Sequence, residues 1–386
     1  MSTQTETPAP ASAPRGTLRE RSPWSLTWHG VETVARLELR QRVRSTKWYI
    51  GLAVFFVIVG IVTVLTMFTM SSSSIGDVPP ELEGGAGRVV FDVVVFFILL
   101  LGILVAPTLS SSAINGDRKE GTLAILQVTL LTPAEIAVGK VLASWAAALA
   151  FLVVSLPFLL VGIVQGRLPV SAVLVSIGLL AFVLAVVVTF GLGFSALVPK
   201  TSSSAVLTYL AVASLTVISL IVFGLSLALT VTPTKVQVWG VPPEVENAWD
   251  WESEQQPDFR CEWYESQWEQ PHTERTWWLL AINPFVIVAD AMPEPPRVDD
   301  EFYYPTGVMD AIRYGVREAR MGPQTQVDQC YYGTLDSPVE PRDPDRSPVW
   351  PWGMGVLTLL GAGALAVAVR RLSIPVGKLP RGTRIA

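Results

Sequence analysis

The chain has 386 residues, of which 50% are hydrophobic and 16% are charged, and its formal net charge is -5. Soluble domains carry about 25% charged residues, so this composition favours a membrane protein. The negative charge argues against a strongly basic nucleic-acid-binding protein, and two His and two Cys leave little from which to build a metal or haem site.

The N-terminal region changes in character part-way along. Residues 1–30 are rich in Pro, Ala and Thr, which is typical of a disordered segment, here on the cytoplasmic side. In residues 31–47, apolar residues such as Val31, Val34 and Leu39 recur close to helical spacing, with arginines between them. This pattern predicts an amphipathic helix on the inner membrane surface. The alternative is a solvated extension of the first span.

Six later segments are long and apolar enough to cross a bilayer, because a hydrocarbon core of about 30 Å needs roughly 20 helical residues. They are Trp48–Met70, Val89–Leu109, Ile136–Val164, Val170–Val198, Ala205–Val231 and Val349–Val369. Transmembrane helices 1–5 therefore fill residues 48–231, and helix 6 fills residues 349–369. The fold class we predict is an all-α polytopic membrane protein with six transmembrane helices.

The distribution of Lys and Arg predicts the orientation in the membrane. Residues 1–47 have eight basic and four acidic residues, and the basic tail 370–386 has five basic residues and no acidic one. Both termini are therefore expected in the cytoplasm, which requires an even number of spans. The loop 110–135 then lies inside the cell, and residues 232–348 lie outside.

Residues 232–348 are expected to form an extracytoplasmic subdomain that is acidic and rich in Trp and Pro. Cys261 and Cys330 lie in it, and an oxidising exterior favours a disulfide between them. Two buried free thiols are the alternative. The tryptophans indicate either a ligand-binding surface or the small core of a Pro-rich, disulfide-linked domain.

One apolar stretch in this subdomain, residues 277–291, is too short to be a seventh span. A helix of its 15 residues would reach about 22 Å, and a seventh span would place the basic tail outside. The stretch also contains Pro284 and Asp290. We predict a re-entrant or interfacial segment before the last span.

Ionisable residues within the six segments are few. Asp92, near the outer end of the second, is a candidate functional group because a charge inside a membrane is costly. An interfacial pair with Arg88, four residues earlier, is the alternative. The segments offer no paired acids, His or Cys for an intramembrane enzyme or a proton relay.

The inner loop between the second and third segments has two helix signals. Leucines spaced by three and four residues share one face of a short cytoplasmic helix, which Gly121 or Thr122 could open. These leucines are Leu123, Leu126 and Leu130. A second helix then starts with Thr132 as N-cap, Pro133 at the first position and Glu135 bonding back to the cap. An ordinary well-capped loop would show the same pattern.

This loop resembles the signature loop of ABC type-2 transporter permeases, the membrane subunits of bacterial ATP-binding-cassette exporters. The matching residues are Glu120, Gly121, Thr122, Leu123, Leu126, Thr132, Pro133, Glu135, Ile136, Gly139 and Lys140. The resemblance covers most of residues 31–371 and includes the basic helix before the first span and the six-span count. Asn283, Pro284 and Phe285, with Asp290, resemble a re-entrant segment before the last span in that family. The lead-in Asp117-Arg118-Lys119-Glu120 departs from the simple E-R-E of the family.

The resemblance implies a bacterial inner-membrane permease that pairs with a second copy, identical or paralogous, within the lipid bilayer. It also implies that a separate cytoplasmic ABC ATPase docks on the loop and the amphipathic helix. The residues implied in coupling are Arg118, Glu120, Gly121, Thr122, Leu123, Leu126, Thr132, Pro133, Glu135, Gly139 and Lys140. Glu120 and Glu135 are candidates for polar docking contacts, and Glu135 is equally a candidate for a simple helix cap.

The chain carries no phosphate-binding loop of the type G-x-x-x-x-G-K-[ST]. If Gly139-Lys140 were the G-K of this pattern, its first glycine would fall at residue 134, which is Ala. We therefore expect no catalytic residues, metal or cofactor on this chain, and ATP and Mg on the partner ATPase. The predicted function is that of a permease for an unknown substrate. Two alternatives are a membrane-anchored extracytoplasmic binding or sensor protein and a secondary transporter, which would need inverted repeats and coupling charges.

Overall fold

Long apolar helices form most of the molecule. The structure is a computed structural model that describes residues 22–72, 85–121, 131–246, 260–292, 307–330, 338–339 and 347–373. In chain order the helices are α1 (Trp28–Val43), α2 (Thr46–Ser72), α3 (Gly85–Ser110), α4 (Asn115–Glu120), α5 (Pro133–Gly166), α6 (Val170–Leu197), α7 (Thr201–Ala213), α8 (Ser219–Thr230), α9 (Pro243–Glu246), α10 (Trp278–Ala281), α11 (Pro284–Ala291), α12 (Val308–Met321) and α13 (Trp350–Leu372). The strands are β1 (Val231–Gly240), β2 (Glu262–Pro271) and β3 (Gln326–Asp328).

The six predicted membrane segments are confirmed as helices. They are α2, α3, α5, α6, the α7–α8 pair and α13, each long and apolar enough to cross a membrane. The predicted amphipathic segment is also helical, as α1. It starts at Trp28 rather than at Val31, because the Thr27 side chain accepts a hydrogen bond from the Gly30 N–H and so caps the helix earlier.

Helix α3 packs against α5 through small residues. A Cβ at Gly162 would lie 2.8 Å from the Cα of Phe91, and a Cβ at Gly87 would lie 2.1 Å from the backbone N of Gly166. Lipid tails are as apolar as the helices, so close backbone contact is what drives such helices together. The glycines therefore fix how closely the second and third spans approach.

Two of the spans lie at the edge of the bundle. Only 17% of the most apolar window is buried in α2 and in the α7–α8 pair, against 56% in the windows of α3 and α6. A short π-helix, Ser214–Ile218, joins α7 to α8. The outer faces of these two spans are therefore open to lipid or to another chain.

A three-stranded sheet continues directly from the end of α8. β1 pairs antiparallel with β2, with Trp239 opposite Trp263, and pairs parallel with β3. The predicted disulfide between Cys261 and Cys330 is confirmed, and it joins the start of β2 to the segment after β3. The all-α class describes the membrane part, and sequence analysis did not predict this sheet. Trp249 and Trp251 lie outside the described residues.

The stretch predicted as re-entrant is two short helices, α10 and α11, rather than one. They meet at Ile282 and Asn283, and the side chains of Leu280, Val286 and Ile287 are buried. α11 packs against α12, α13 and α6. Its placement relative to a bilayer stays a prediction.

Candidate coupling site

One buried lysine joins three helices at the end of the bundle that holds α1. Lys140, on α5, is 1% exposed, and its Nζ contacts the Glu38 carboxylate on α1. The same Nζ lies 2.7 Å from Oδ2 of Asp117 on α4. We call Glu38, Asp117 and Lys140 the lysine cluster. A buried charge is tolerated only with well-placed partners, so this cluster fixes the three helices relative to one another.

Glu135 caps two helices at once. Its N–H donates to Thr132 Oγ1 at 3.2 Å, and the Thr132 N–H donates back to Glu135 Oε2 at 2.9 Å, which completes the predicted capping box of α5. Its Oε1 accepts hydrogen bonds from the N–H and hydroxyl of Thr27, the N-cap of α1, at 2.9 and 2.6 Å.

These contacts bear on the two roles predicted for Glu135. The residue is 1% exposed, and both carboxylate oxygens are engaged within the chain. The capping role predicted for Glu135 is therefore confirmed, and its docking role stays a prediction.

Glycines bring α1 onto α5. A Cβ at Gly139 would lie 2.7 Å from the Cβ of Val34, and a Cβ at Gly30 would lie 2.7 Å from Cδ of Glu135. Gly139 is therefore needed for close helix packing, and Lys140 is an interior residue rather than part of an exposed surface. Both positions were predicted as coupling residues, and the structure gives each an internal contact.

Arg42 anchors the other end of α1. Its Nη2 donates hydrogen bonds to the Leu109 carbonyl at 2.7 Å and to Ser144 Oγ at 2.8 Å. Burial lowers the pKa of the Arg42 guanidinium, and the negative charge of Glu38 opposes that shift. α1 is thus bonded near both of its ends to the membrane helices, through Thr27 and Arg42.

Helix α4 is held on the opposite side by α6. Ser195 Oγ accepts hydrogen bonds from the N–H groups of Ile114 at 3.0 Å and Asn115 at 3.1 Å. Arg118, which is half-buried, lies close to the end of α6 and donates to the Ala196 carbonyl at 3.4 Å. α4 therefore connects the lysine cluster to the fourth span.

Gly121 ends α4 instead of opening a helix. Its φ of 74° is the left-handed conformation that glycine adopts readily at a helix C-terminus. Sequence analysis had placed a helix start at Gly121 or Thr122. Thr122, Leu123 and Leu126 lie outside the described residues, and the helix predicted from Leu123 onward stays a prediction.

A second polar site lies where α10 and α11 meet the π-helix. Asn283 Nδ2 donates to the Thr216 carbonyl at 2.8 Å, and its Oδ1 accepts from the Phe285 N–H at 2.9 Å. Pro284 occupies the first turn of α11, where its missing N–H costs nothing. A π-helix disturbs the regular hydrogen bonding of a span, and Asn283 supplies a donor at that point.

Asp290 ties the subdomain to the last span. Its Oδ2 accepts from the N–H groups of Val349 at 2.5 Å and Trp350 at 2.8 Å, at the start of α13. Arg317 on α12 donates from Nε to Oδ1 at 2.7 Å. An acid is favoured at a helix N-terminus, where the exposed N–H groups and the helix dipole attract it. Asp290 is 2% exposed, so this role is structural.

Asp92 also meets the subdomain. A Cβ at Gly307, the N-cap of α12, would lie 2.2 Å from Asp92 Oδ2, and the Asp92 carboxylate accepts a hydrogen bond from the Asp310 backbone. Sequence analysis had weighed Arg88 as its partner or a functional role in the membrane. The structure places Asp92 at the N-terminus of α12, and Arg88 also attracts its carboxylate electrostatically, so both roles stay predictions.

Comparison with known families identifies the chain. A family model described as "ABC-2 family transporter protein" matches residues 32–316, from α1 into α12. The chain belongs to the ABC-2 transporter family. The resemblance predicted from the loop sequence is therefore confirmed. No curated protein matches the chain.

In this ABC-2 family permease, the residues predicted for coupling divide into two groups. The interior group makes contacts among α1, α4, α5 and α6, and comprises Thr132, Glu135, Gly139 and Lys140, with Arg118 half-buried beside them. Pro133 opens α5 at its first position. Glu120, at the end of α4, is the most exposed of the described residues of the set, and Gly121 and Pro133 are partly exposed.

Sequence reasoning missed the partners of these residues. Glu38 and Thr27 on α1, Asp117 on α4 and Arg317 on α12 each contact a predicted site residue. The sequence carries a signal for Asp117, which belongs to the charged lead-in Asp117-Arg118-Lys119-Glu120. Glu38 and Thr27 are far along the chain from α5, and periodicity does not report such pairs.

Proposed function

We propose that this ABC-2 family permease is the membrane subunit of an exporter in the bacterial inner membrane, with both termini in the cytoplasm. A separate ABC ATPase binds ATP and Mg and docks on α4 and the loop that follows it. The observation that supports this proposal is the lysine cluster, because it connects the exposed end of α4 to the interior of the membrane part.

The contacts provide a continuous path for a displacement. A force on Glu120 acts on α4, which holds Lys140 of α5 through Asp117 and holds α6 through the hydrogen bonds to Ser195. Lys140 in turn holds α1 through Glu38. Packed and hydrogen-bonded elements of this kind carry coupling between distant sites. ATP-driven movement of α4 then shifts the third and fourth spans together with α1.

A second permease, identical or paralogous, completes the transport path in this proposal. The weakly buried face of the α7–α8 pair is where it can pack, since little of that span is covered within one chain. The substrate crosses between the two copies.

The test is purification of the tagged full-length chain from its native membranes in mild detergent, with mass spectrometry and an ATPase assay. We expect an ABC ATPase and vanadate-sensitive ATP hydrolysis to accompany the chain. Glu120→Lys should remove both, because it reverses the charge of the exposed side chain at the end of α4.

A matched control is Glu244→Lys, which reverses an exposed charge in the subdomain and should leave ATPase binding unchanged. A chain that purifies without an ATPase from both detergent and lipid nanodiscs would contradict the proposal. Equal loss of the ATPase in the two variants would contradict the assigned docking site.

A further inference from the structure

A groove opens on the side of the bundle where α1 ends and α2 begins. Its volume is about 540 Å³, and residues of α2, α3 and α5 line it. The walls are mostly apolar and include Gly51, Phe55, Leu104, Leu109 and Phe151. α2 is an edge helix, so the groove faces the surroundings of the bundle.

The polar end of the groove is positive. Arg42 and Lys47 line this end, and none of the described residues that line the groove is acidic. Hydrogen bonds to the Leu109 carbonyl and to Ser144 hold the Arg42 guanidinium in position at this end of the groove. Lys47 is exposed in the first turn of α2, and Arg44 is exposed beside it.

The length of the groove fits one leaflet of a bilayer. At 1.5 Å per residue, the rise along α2 from Lys47 to Ile58, both lining residues, is about 16 Å. That is about half of the hydrocarbon core of roughly 30 Å. The basic end lies at the start of the span, at the level where lipid head groups meet the membrane core.

We propose that this groove binds an anionic phospholipid of the adjacent leaflet, with one acyl chain along α2 and α3 and its phosphate at Lys47 and Arg42. Apolar walls match the chain, and the positive end matches the head group. Basic pockets between transmembrane helices on the cytoplasmic side bind acidic head groups in this way. The site is separate from the surface proposed for ATPase docking and does not depend on that proposal.

The first experiment locates the lipid without any mutation. The delipidated full-length chain is incubated with phosphatidylglycerol or phosphatidylcholine that carries a diazirine in the acyl chain, and cross-linked peptides are mapped by mass spectrometry. We expect the phosphatidylglycerol probe to label the groove walls of α2 and α3. This labelling should persist when unlabelled phosphatidylcholine is added as a competitor. Even labelling of all outer helix faces, or equal labelling by both lipids, would overturn the proposal.

Two variants then test the two halves of the site. Gly51→Leu should block the chain-binding part, because the added Cβ would meet only Phe151, at 3.9 Å, and the rest of the side chain would extend into the groove. Lys47→Gln should lower the affinity for phosphatidylglycerol by about fivefold, the usual effect of one basic residue near an acidic surface. Native mass spectrometry of the lipid-bound chain measures both.

The controls carry the same changes elsewhere. Gly178→Leu adds the same bulk on an exposed face of α6, where an added Cβ would meet no atom within 4 Å, and Arg370→Gln removes an exposed charge at the end of α13. Neither should change lipid binding. Equal effects of Gly51→Leu and Gly178→Leu would overturn the proposal. So would efficient disulfide formation between two copies of an Ile58→Cys variant, since a second permease would then cover the groove.

Discussion

The Nζ of Lys140 lies 2.7 Å from Oδ2 of Asp117, and this contact links the third span to the short helix before the coupling loop. The same Nζ also holds Glu38 of the amphipathic helix. One buried cation thus serves two acids on two other elements. The arrangement makes α1 and α4 part of the membrane bundle rather than attachments to it.

Lys140→Met should therefore destabilise the protein strongly. It leaves the carboxylates of Glu38 and Asp117 without their shared cation, and breaking a buried pair in this way costs about 3 kcal/mol. Thermal unfolding of the purified chain in detergent measures the loss. Lys119→Met removes an exposed lysine two residues from Asp117 and should have almost no effect. Partial recovery in the variant that also carries Asp117→Asn would show that the acid left without the Lys140 charge causes the loss.

Glu135→Ala should loosen the starts of two helices at once. The substitution removes the acceptor for Thr27 at the N-terminus of α1 and half of the capping box of α5. Loss of a helix cap costs about 1 kcal/mol, so we expect a total near 2 kcal/mol. Hydrogen exchange should rise at the first turns of both α1 and α5. Faster exchange at α5 alone would show that the contact with Thr27 does not stabilise α1.

The membrane helices were predictable from the sequence because a bilayer demands long apolar segments. The cap of α5 was also predictable, since Thr132, Pro133 and Glu135 lie within four residues and their roles are local. The lysine cluster was not, because Glu38 and Asp117 come from separate parts of the chain. A glycine such as Gly139 shows in the sequence only as a small residue, and its contact with Val34 depends on the folded bundle.

The sheet of the subdomain had a signal that sequence analysis did not use. In β1, Val236 and Val238 are fully buried, while Lys235 before them and Gln237 between them are exposed, which is the alternation of a strand with one covered face. The high content of Pro and acidic residues in this region obscures the pattern. The position of α12 was also missed, although its apolar and polar residues segregate to opposite faces.

Asn283→Asp should destabilise the junction of the subdomain with the fifth span. The variant keeps an oxygen that can cap α11 but loses the amide donor to the Thr216 carbonyl in the π-helix. A buried acceptor without its partner costs about 1–3 kcal/mol, and a buried carboxylate adds to that cost. Ser219→Ala removes a contact of 3.4 Å with the same amide and a local hydrogen bond to the Leu215 carbonyl, and it is the milder control. Thermal unfolding that is unchanged in Asn283→Asp would contradict this role.

Reduction of the Cys261–Cys330 disulfide should destabilise the subdomain more than the membrane helices. The bond closes a loop with a sequence separation of 69, for which the chain-entropy model gives about 4 kcal/mol. The bond lies beside β2 and β3, and the spans are held by their own packing. We expect Cys261→Ser with Cys330→Ser to increase proteolysis in residues 232–348, while the spans stay protected. A membrane-impermeant reductant added to intact cells should give the same cleavage pattern, since the subdomain is predicted to face outward. Cleavage only after the cells are opened would reverse the proposed orientation.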